Sequence, residues 1–160
     1  MSEDTPNWAR ALGRLPSGLF IVTAGVGDQA TGFLASWVQQ VGFEPPSVTA
    51  AVKRGRFVSD LIREHSAFCV SILDASSKSL LGHFARGFEP GQPAFDGVAV
   101  GASEAGVPFL TDAHAHLECR LEGSVDWSDH TLFCGVIVGG EVSGRDEDPM
   151  VHIRKTGLSY

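Results

Sequence analysis

Long apolar runs, basic residues and paired cysteines are all scarce in this chain of 160 residues. No stretch approaches the roughly 20 apolar residues of a membrane-spanning helix, so no membrane span is expected. Lysine and arginine number 12 against 19 acidic residues, a formal charge of −7. Such a surface repels phosphate backbones, which argues against nucleic acid as a partner. The opening Met1-Ser2-Glu3-Asp4 lacks the basic-then-apolar layout of a signal peptide. Cys69, Cys119 and Cys134 form an odd set flanked by apolar, strand-like residues. They read as buried, reduced thiols and suit a cytoplasmic compartment. There is no GxSxG nucleophile elbow and no cysteine with a neighbouring base in sequence, so nothing supports a hydrolase.

What remains has globular composition, with 43% apolar and 19% charged residues, and a length that suits one domain over 1–160. The 19 glycines and 8 prolines call for many turns and short elements. Thr5-Pro6 reads as the start of a helix in which Trp8, Leu12 and Leu15 recur at i, i+4 and i+7, ended by Pro16 and Gly18. Strand patterns cover 19–24, 31–41, 47–53, 67–73, 117–125, 131–138 and 150–154. Short helices are expected over 57–64, where Val58, Leu61 and Ile62 share a face, and over 76–86 behind a serine cap. Turn-length connections favour antiparallel neighbours, and seven or so strands point to a closed or nearly closed β-barrel. The stretch 87–110, punctuated by glycine and proline, reads as a long loop: a lid, a partner arm, or undetected strands.

Three motifs carry chemical suggestions. Gly25-Val26-Gly27-Asp28-Gln29-Ala30 fits GxGxxA, but the residues that follow are strand-like, so a hairpin turn is expected instead of a dinucleotide-binding helix start. His114, His116 and Glu118 alternate and would share one strand face, as a metal site requires. A solvated face with Leu117 and Cys119 turned inward is the stronger reading, and no metal is expected. His65, His83, His130 and His152 are isolated. Lys53-Arg54-Gly55-Arg56 places three of the chain's 12 basic residues within four positions, between a strand and a helix start. Cations, a glycine and helix N-terminal amides together form a phosphate cradle.

With those residues in hand, the sequence resembles the flavin reductase-like family with its mostly β, antiparallel split β-barrel, a few short helices and bound FMN. The likeness runs from about Ala11 to Tyr160. It is carried by Leu15-Pro16-Ser17-Gly18-Leu19-Phe20-Ile21-Val22-Thr23, Thr31-Gly32-Phe33-Leu34-Ala35-Ser36-Trp37-Val38-Gln39-Gln40 and Phe43-Glu44-Pro45-Pro46. Ala50-Ala51-Val52-Lys53, Phe68-Cys69-Val70-Ser71-Ile72-Leu73, Leu81-Gly82-His83-Phe84, Leu117-Glu118-Cys119 and Ser128-Asp129-His130 follow in order. The resemblance implies a homodimer with FMN, or FAD as the alternative flavin, at its interface. Leu34, Ala35, Ser36 and Trp37 would meet the flavin ring. Ala51, Val52, Lys53, Arg54 and Arg56 would line the ribityl and phosphate end. His83, Phe84, Ala85 and Arg86 would close the pocket, and His130, where Ser128 replaces the family's glycine, would act at the rim. The implied activity is hydride transfer from NADH or NADPH to flavin, with a monooxygenase or other acceptor downstream. The alternatives are a flavin-binding electron carrier, and a barrel for a non-flavin ligand such as haem or a pyridoxal phosphate relative.

Overall fold

A computed structural model describes residues 5–160, and the Met1–Asp4 start discussed above lies outside them. The elements run α1 (Asn7–Leu12), β1 (Ser17–Gly18), β2 (Phe20–Ala24), β3 (Thr31–Ala35), β4 (Val38–Phe43), β5 (Pro46–Lys53), α2 (Val58–His65), β6 (Ala67–Ile72) and α3 (Lys78–Ala85). They continue with β7 (Val100–Ala102), β8 (Pro108–Leu110), β9 (Ala115–Trp127), β10 (His130–Val142) and β11 (Val151–His152). Seven strands form one antiparallel sheet in the order β3-β2-β6-β9-β10-β5-β4. The expected antiparallel, mostly β fold with few short helices is therefore present. Closure is not: β3 and β4 lie at the two ends of the ladder and do not pair with each other.

The 31–41 pattern is one apolar run in sequence but two strands in space. It breaks at Ser36-Trp37, so that β3 pairs β2 and β4 pairs β5. Period-2 alternation predicts pairing competence and carries no information about which neighbour is paired. Across the break, the Ala51 N–H donates to the Trp37 carbonyl at 3.0 Å, which holds this corner against β5.

The main core joins both halves of the sheet through Val22, Phe33, Val52, Phe68 and Phe133, covered by Val58 and Ile62 of α2. The amphipathic spacing read in α2 is thus what seats it on the sheet. A second cluster of Ile21, Leu73, Leu80, Phe84 and Leu110 packs α3 on the other face. The helix at 76–86 takes its cap from Asp74 and not from serine alone, since the Asp74 carboxylate accepts from the Ser76 N–H at 3.0 Å. α1 ends at Leu12, before the expected Leu15; Ala9 is its buried residue, while Trp8, Leu12 and, beyond the helix, Leu15 stay exposed. The i, i+4, i+7 stripe therefore faces away from this chain's core.

The 87–110 stretch is not structureless. β7 and β8 pair within it, and Phe88, Phe95, Val98 and Val107 pack into the apolar clusters. A Cβ on Gly101 would meet the Phe109 ring at 2.3 Å, which explains a glycine inside so short a strand. Gly25 and Gly27 form the expected turn between β2 and β3, with φ of 82° and 63°. A single 3-10 turn over Gly27–Gln29 and then β3 follow instead of an α-helix, so the dinucleotide-binding reading falls.

Candidate functional site

The break after β3, the end of β5 and the inner face of α3 converge on one cavity of about 550 Å³. That volume suits a small organic ligand. Of the predicted residues, Leu34, Ala35, Ser36, Trp37, Ala51, Lys53, Arg56, Phe84, Ala85 and His130 line it. Residues about 80 positions apart meet here because β10 pairs β5 with Lys53 opposite His130 and Ala51 opposite Leu132.

Four predicted residues stand elsewhere. Val52 points its side chain into the core, as alternation with Ala51 and Lys53 requires. The Arg54 guanidinium donates to the Ser128 carbonyl, and the Arg54 N–H donates to the Asp129 carbonyl at 2.9 Å. Arg54 therefore clamps the β9–β10 turn that delivers His130, and does not line the cavity. His83 donates through Nε2 to the Ala94 carbonyl at 2.7 Å, tying α3 to the following loop. Arg86 lies over the Phe88 ring, 4.8 Å from its centroid, and lines an adjoining, more polar cavity that also touches Arg56 and Gly87.

Within the main cavity the walls are apolar except at a few points. The Ser36 hydroxyl is buried and, among the described residues, has no hydrogen-bond partner. An unpaired buried hydroxyl is costly, so it marks where a ligand's polar edge belongs. Lys53 and Arg56 supply positive charge to the lining. Burial pulls the Arg56 guanidinium below its usual value, partly offset by the Tyr160 phenol and Glu89, and it remains a cation. Arg56 also covers the Phe33 ring at 4.7 Å. The expected helix start follows at α2, with Gly55 at φ 83°. However, the Ser59 and Asp60 amides already donate to the Arg56 and Phe57 carbonyls. A phosphate cradle here would thus rely on side-chain cations more than on the Ser59 and Asp60 amides.

The rim is aromatic. The Trp37 and His130 rings lie 4.8 Å apart, and Trp37 and Tyr160 lie 5.3 Å apart. Asp129 accepts from His130 Nδ1 at 2.7 Å, and this bond lowers the Asp129 carboxyl below its ordinary value. An ionised Asp129 can only accept, so Nδ1 carries a proton, and Nε2 faces the Tyr160 hydroxyl at 3.3 Å. Ser128 takes φ 55° in the two-residue turn before His130, at the position glycine usually fills. The hairpin therefore forms without the glycine.

Sequence reasoning missed Leu19, Phe33, Leu81, Gly87, His152 and Tyr160 in this lining. Phe33 was legible as the alternate neighbour of Ala35. Tyr160 had no local signal at all, because a folded-back segment brings it to the rim. The His114, His116 and Glu118 trio does not converge: His114 meets Asp74 at 3.1 Å, while His116 stacks on Phe109 at 3.6 Å and meets Glu118 at 3.6 Å. That face is half-buried and not solvated, and no group of three metal-binding side chains occurs among the described residues. Cys69 and Cys119 are buried free thiols, each pushed by burial up to about 12.

Residues 12–157 match the protein family described as flavin reductase like domain. Diflavin flavoprotein A 1 of Synechocystis sp. is 37% identical over 152 residues, covering 94% of this chain and 26% of that protein. The chain spans about a quarter of the length of the curated relatives it matches. The solved NADH:FAD oxidoreductase SgcE6 of Streptomyces globisporus superposes with a TM-score of 0.82 at 29% identity, covering 90% of this chain and 85% of that one. BorF, the flavin reductase component of a bacterial two-component tryptophan halogenase, superposes at 0.79 with 26% identity and 90% coverage of each chain.

Proposed function

The chain belongs to the family of flavin reductase like domains, and from that premise we propose that it binds FMN in the cavity beside Trp37 and reduces it with NADH or NADPH. The observation that carries this reading is the unpaired Ser36 hydroxyl in the wall of a mostly apolar cavity that Lys53 and Arg56 also line. A flat ring with a hydrogen-bonding edge and an anionic tail matches that polarity point for point.

A bound flavin would supply two-electron redox chemistry, with the nicotinamide as the hydride donor that is oxidised in exchange. The chain's own residues bind and orient. Ser36 Oγ holds the ring edge, Trp37 and Phe84 pack its apolar surface, and Lys53 and Arg56 neutralise the phosphate. Asp129 fixes His130 with Nε2 toward the rim, and Arg54 holds the turn that carries both. No protein acid or base is needed for hydride transfer itself, which fits a site without a catalytic triad.

The FMN-loaded protein, mixed with NADH or NADPH without oxygen, is expected to lose its flavin absorbance near about 450 nm promptly. Bleaching by dithionite alone would make it a flavin-binding electron carrier, and a preparation that takes up no flavin would point to another ligand class. The reduced flavin or its electrons pass to an acceptor such as a monooxygenase partner, as two-component systems like that of BorF suggest.

Homodimerisation belongs to the same proposal. β4 is an edge strand carrying exposed Val41 and an 89% exposed Phe43, and Trp8, Leu12 and Trp127 add further apolar surface. An unpaired apolar edge of this kind favours association. Sedimentation should give a mass about twice the 17.0 kDa of the chain, and a single-chain mass at micromolar concentration would remove the dimer. The cytoplasmic setting rests on the three unpaired cysteines.

A further inference from the structure

His130 reaches the rim with both ring nitrogens already engaged. Nδ1 is bonded to Asp129 at 2.7 Å and Nε2 to the Tyr160 hydroxyl at 3.3 Å. The His130 ring is otherwise enclosed, with 11% of its side chain exposed, so no third direction of approach is open to a ligand. Trp37 is engaged in the same way: the Tyr160 ring lies at 5.3 Å and the Arg154 guanidinium at 5.4 Å from its ring.

The segment that places Tyr160 is anchored firmly up to one point. The Arg154 N–H donates to the Gly13 carbonyl at 3.1 Å, and the Gly157 N–H donates to Ala9 at 2.7 Å. A Cβ on Gly157 would meet Leu12 at 2.4 Å, so the chain lies flat against α1 at that point. Past Gly157, the Leu158 N–H turns back to Thr156 Oγ1 at 3.4 Å. Among the described residues, the hydroxyl bond to His130 is then the sole hydrogen bond from Leu158–Tyr160 to the sheet. Tyr160 itself is 73% exposed. Tyr160 is thus a mostly exposed ring held at the cavity by one long hydrogen bond and one tilted ring contact, three residues past a fixed point.

We infer that Tyr160 is a gate on the rim, occupying His130 and Trp37 until a planar aromatic ligand of the nicotinamide class displaces it. The inference rests on the proposed flavin site and adds the residue that sets affinity for the second ring. Any ligand that uses His130 Nε2 or the part of the Trp37 ring that Tyr160 covers competes with Tyr160, so its apparent affinity falls by the fraction of molecules in which Tyr160 is closed. One net hydrogen bond plus a ring contact sets that penalty at about three- to tenfold.

The test compares wild type with Tyr160→Ala and Tyr160→Phe, each loaded with FMN. Titration with NAD⁺, which cannot reduce the flavin, is followed through perturbation of the flavin absorption band. The Kd for NAD⁺ should fall about three- to tenfold in Tyr160→Ala, and less in Tyr160→Phe, which keeps the ring but loses the hydroxyl. With NADH, the KM should fall by a larger factor than any change in kcat. An unchanged or weaker NAD⁺ affinity in Tyr160→Ala overturns the gate, since Tyr160 would then be inert or part of the binding wall. FMN uptake without NAD⁺ binding in any of the three proteins also overturns it and leaves the flavin seat standing. Failure of all three to take up FMN removes the flavin reading itself.

Discussion

Lys53→Ala and Arg56→Ala are each expected to weaken FMN binding by about tenfold, and the double variant by about a hundredfold. A hydrogen bond to a charged group contributes about 1.5–3 kcal/mol, which corresponds to about 10- to 150-fold in Kd. Both residues line the cavity and keep much of their surface exposed, Arg56 being partly desolvated. Screening therefore places each at the lower end of that range and makes the effect shrink as salt rises. Riboflavin, which has the same ring and no phosphate, isolates the cause. Its affinity should not change in either variant, because Ser36, Trp37 and Phe84 are untouched. Equal losses for FMN and riboflavin would mean that the cations act on the ring or the fold. Unchanged FMN affinity in the double variant would remove the phosphate cradle.

The second large effect concerns stability. Asp74 is fully buried, and its carboxylate accepts from the Ser76 N–H at 3.0 Å, Ser76 Oγ at 2.6 Å, Ser77 Oγ at 2.8 Å, His114 Nδ1 at 3.1 Å and the Arg145 guanidinium at 3.1 and 3.2 Å. Residue 74 also forms a β-bridge to Pro149, so it ties α3, the start of β9 and the segment after β10 into one knot. Asp74→Ala should cost about 3–5 kcal/mol, because it leaves a partly buried guanidinium and two hydroxyls without their shared acceptor. Urea unfolding at neutral pH measures this directly, and a loss under about 1 kcal/mol would show that water replaces the knot at little cost.

The same group predicts a pH dependence. Burial alone would raise the Asp74 carboxyl, but bonds from Ser76, Ser77, Arg145 and His114 reverse that and hold it well below the usual carboxylate range. A carboxylate depressed in the folded state contributes stability that is complete above its unfolded value, near about 3.9, and is lost as pH falls below it toward the folded value. Wild type should therefore lose its advantage over Asp74→Ala between about pH 4 and pH 2. An advantage that stays constant through that window would contradict the assignment.

Much of the candidate site was legible because its chemistry is local. The cations of Lys53-Arg54-Gly55-Arg56 stand out in an acidic chain, and Ala35-Ser36-Trp37 is a run whose order survives into the cavity wall. Orientation within those runs was not legible. Lys53 and Arg56 line the cavity while Arg54 turns away to the Ser128 carbonyl, a choice made by a hairpin more than 70 residues later. His83 and Phe84 are neighbours on α3, yet helix geometry points one at the Ala94 carbonyl and the other into the core. The 87–110 stretch defeated pattern reading because its strands are three residues long, too short for alternation to register.

The sequence by itself determined the class of fold, the hydrophobic faces of α2 and α3, the hairpin at Gly25–Gly27 and the cationic corner after β5. Each depends on periodicity, turn chemistry or charge among residues within about a dozen positions of one another. Tertiary structure alone decided that one apolar run splits at Ser36-Trp37 to serve both ends of an open sheet. It also decided that Asp74 gathers Arg145, and that Tyr160 folds back onto His130. Those contacts join residues 30 to 71 positions apart, and no local preference encodes which distant partner a satisfied hydrogen bond or a buried ring will find.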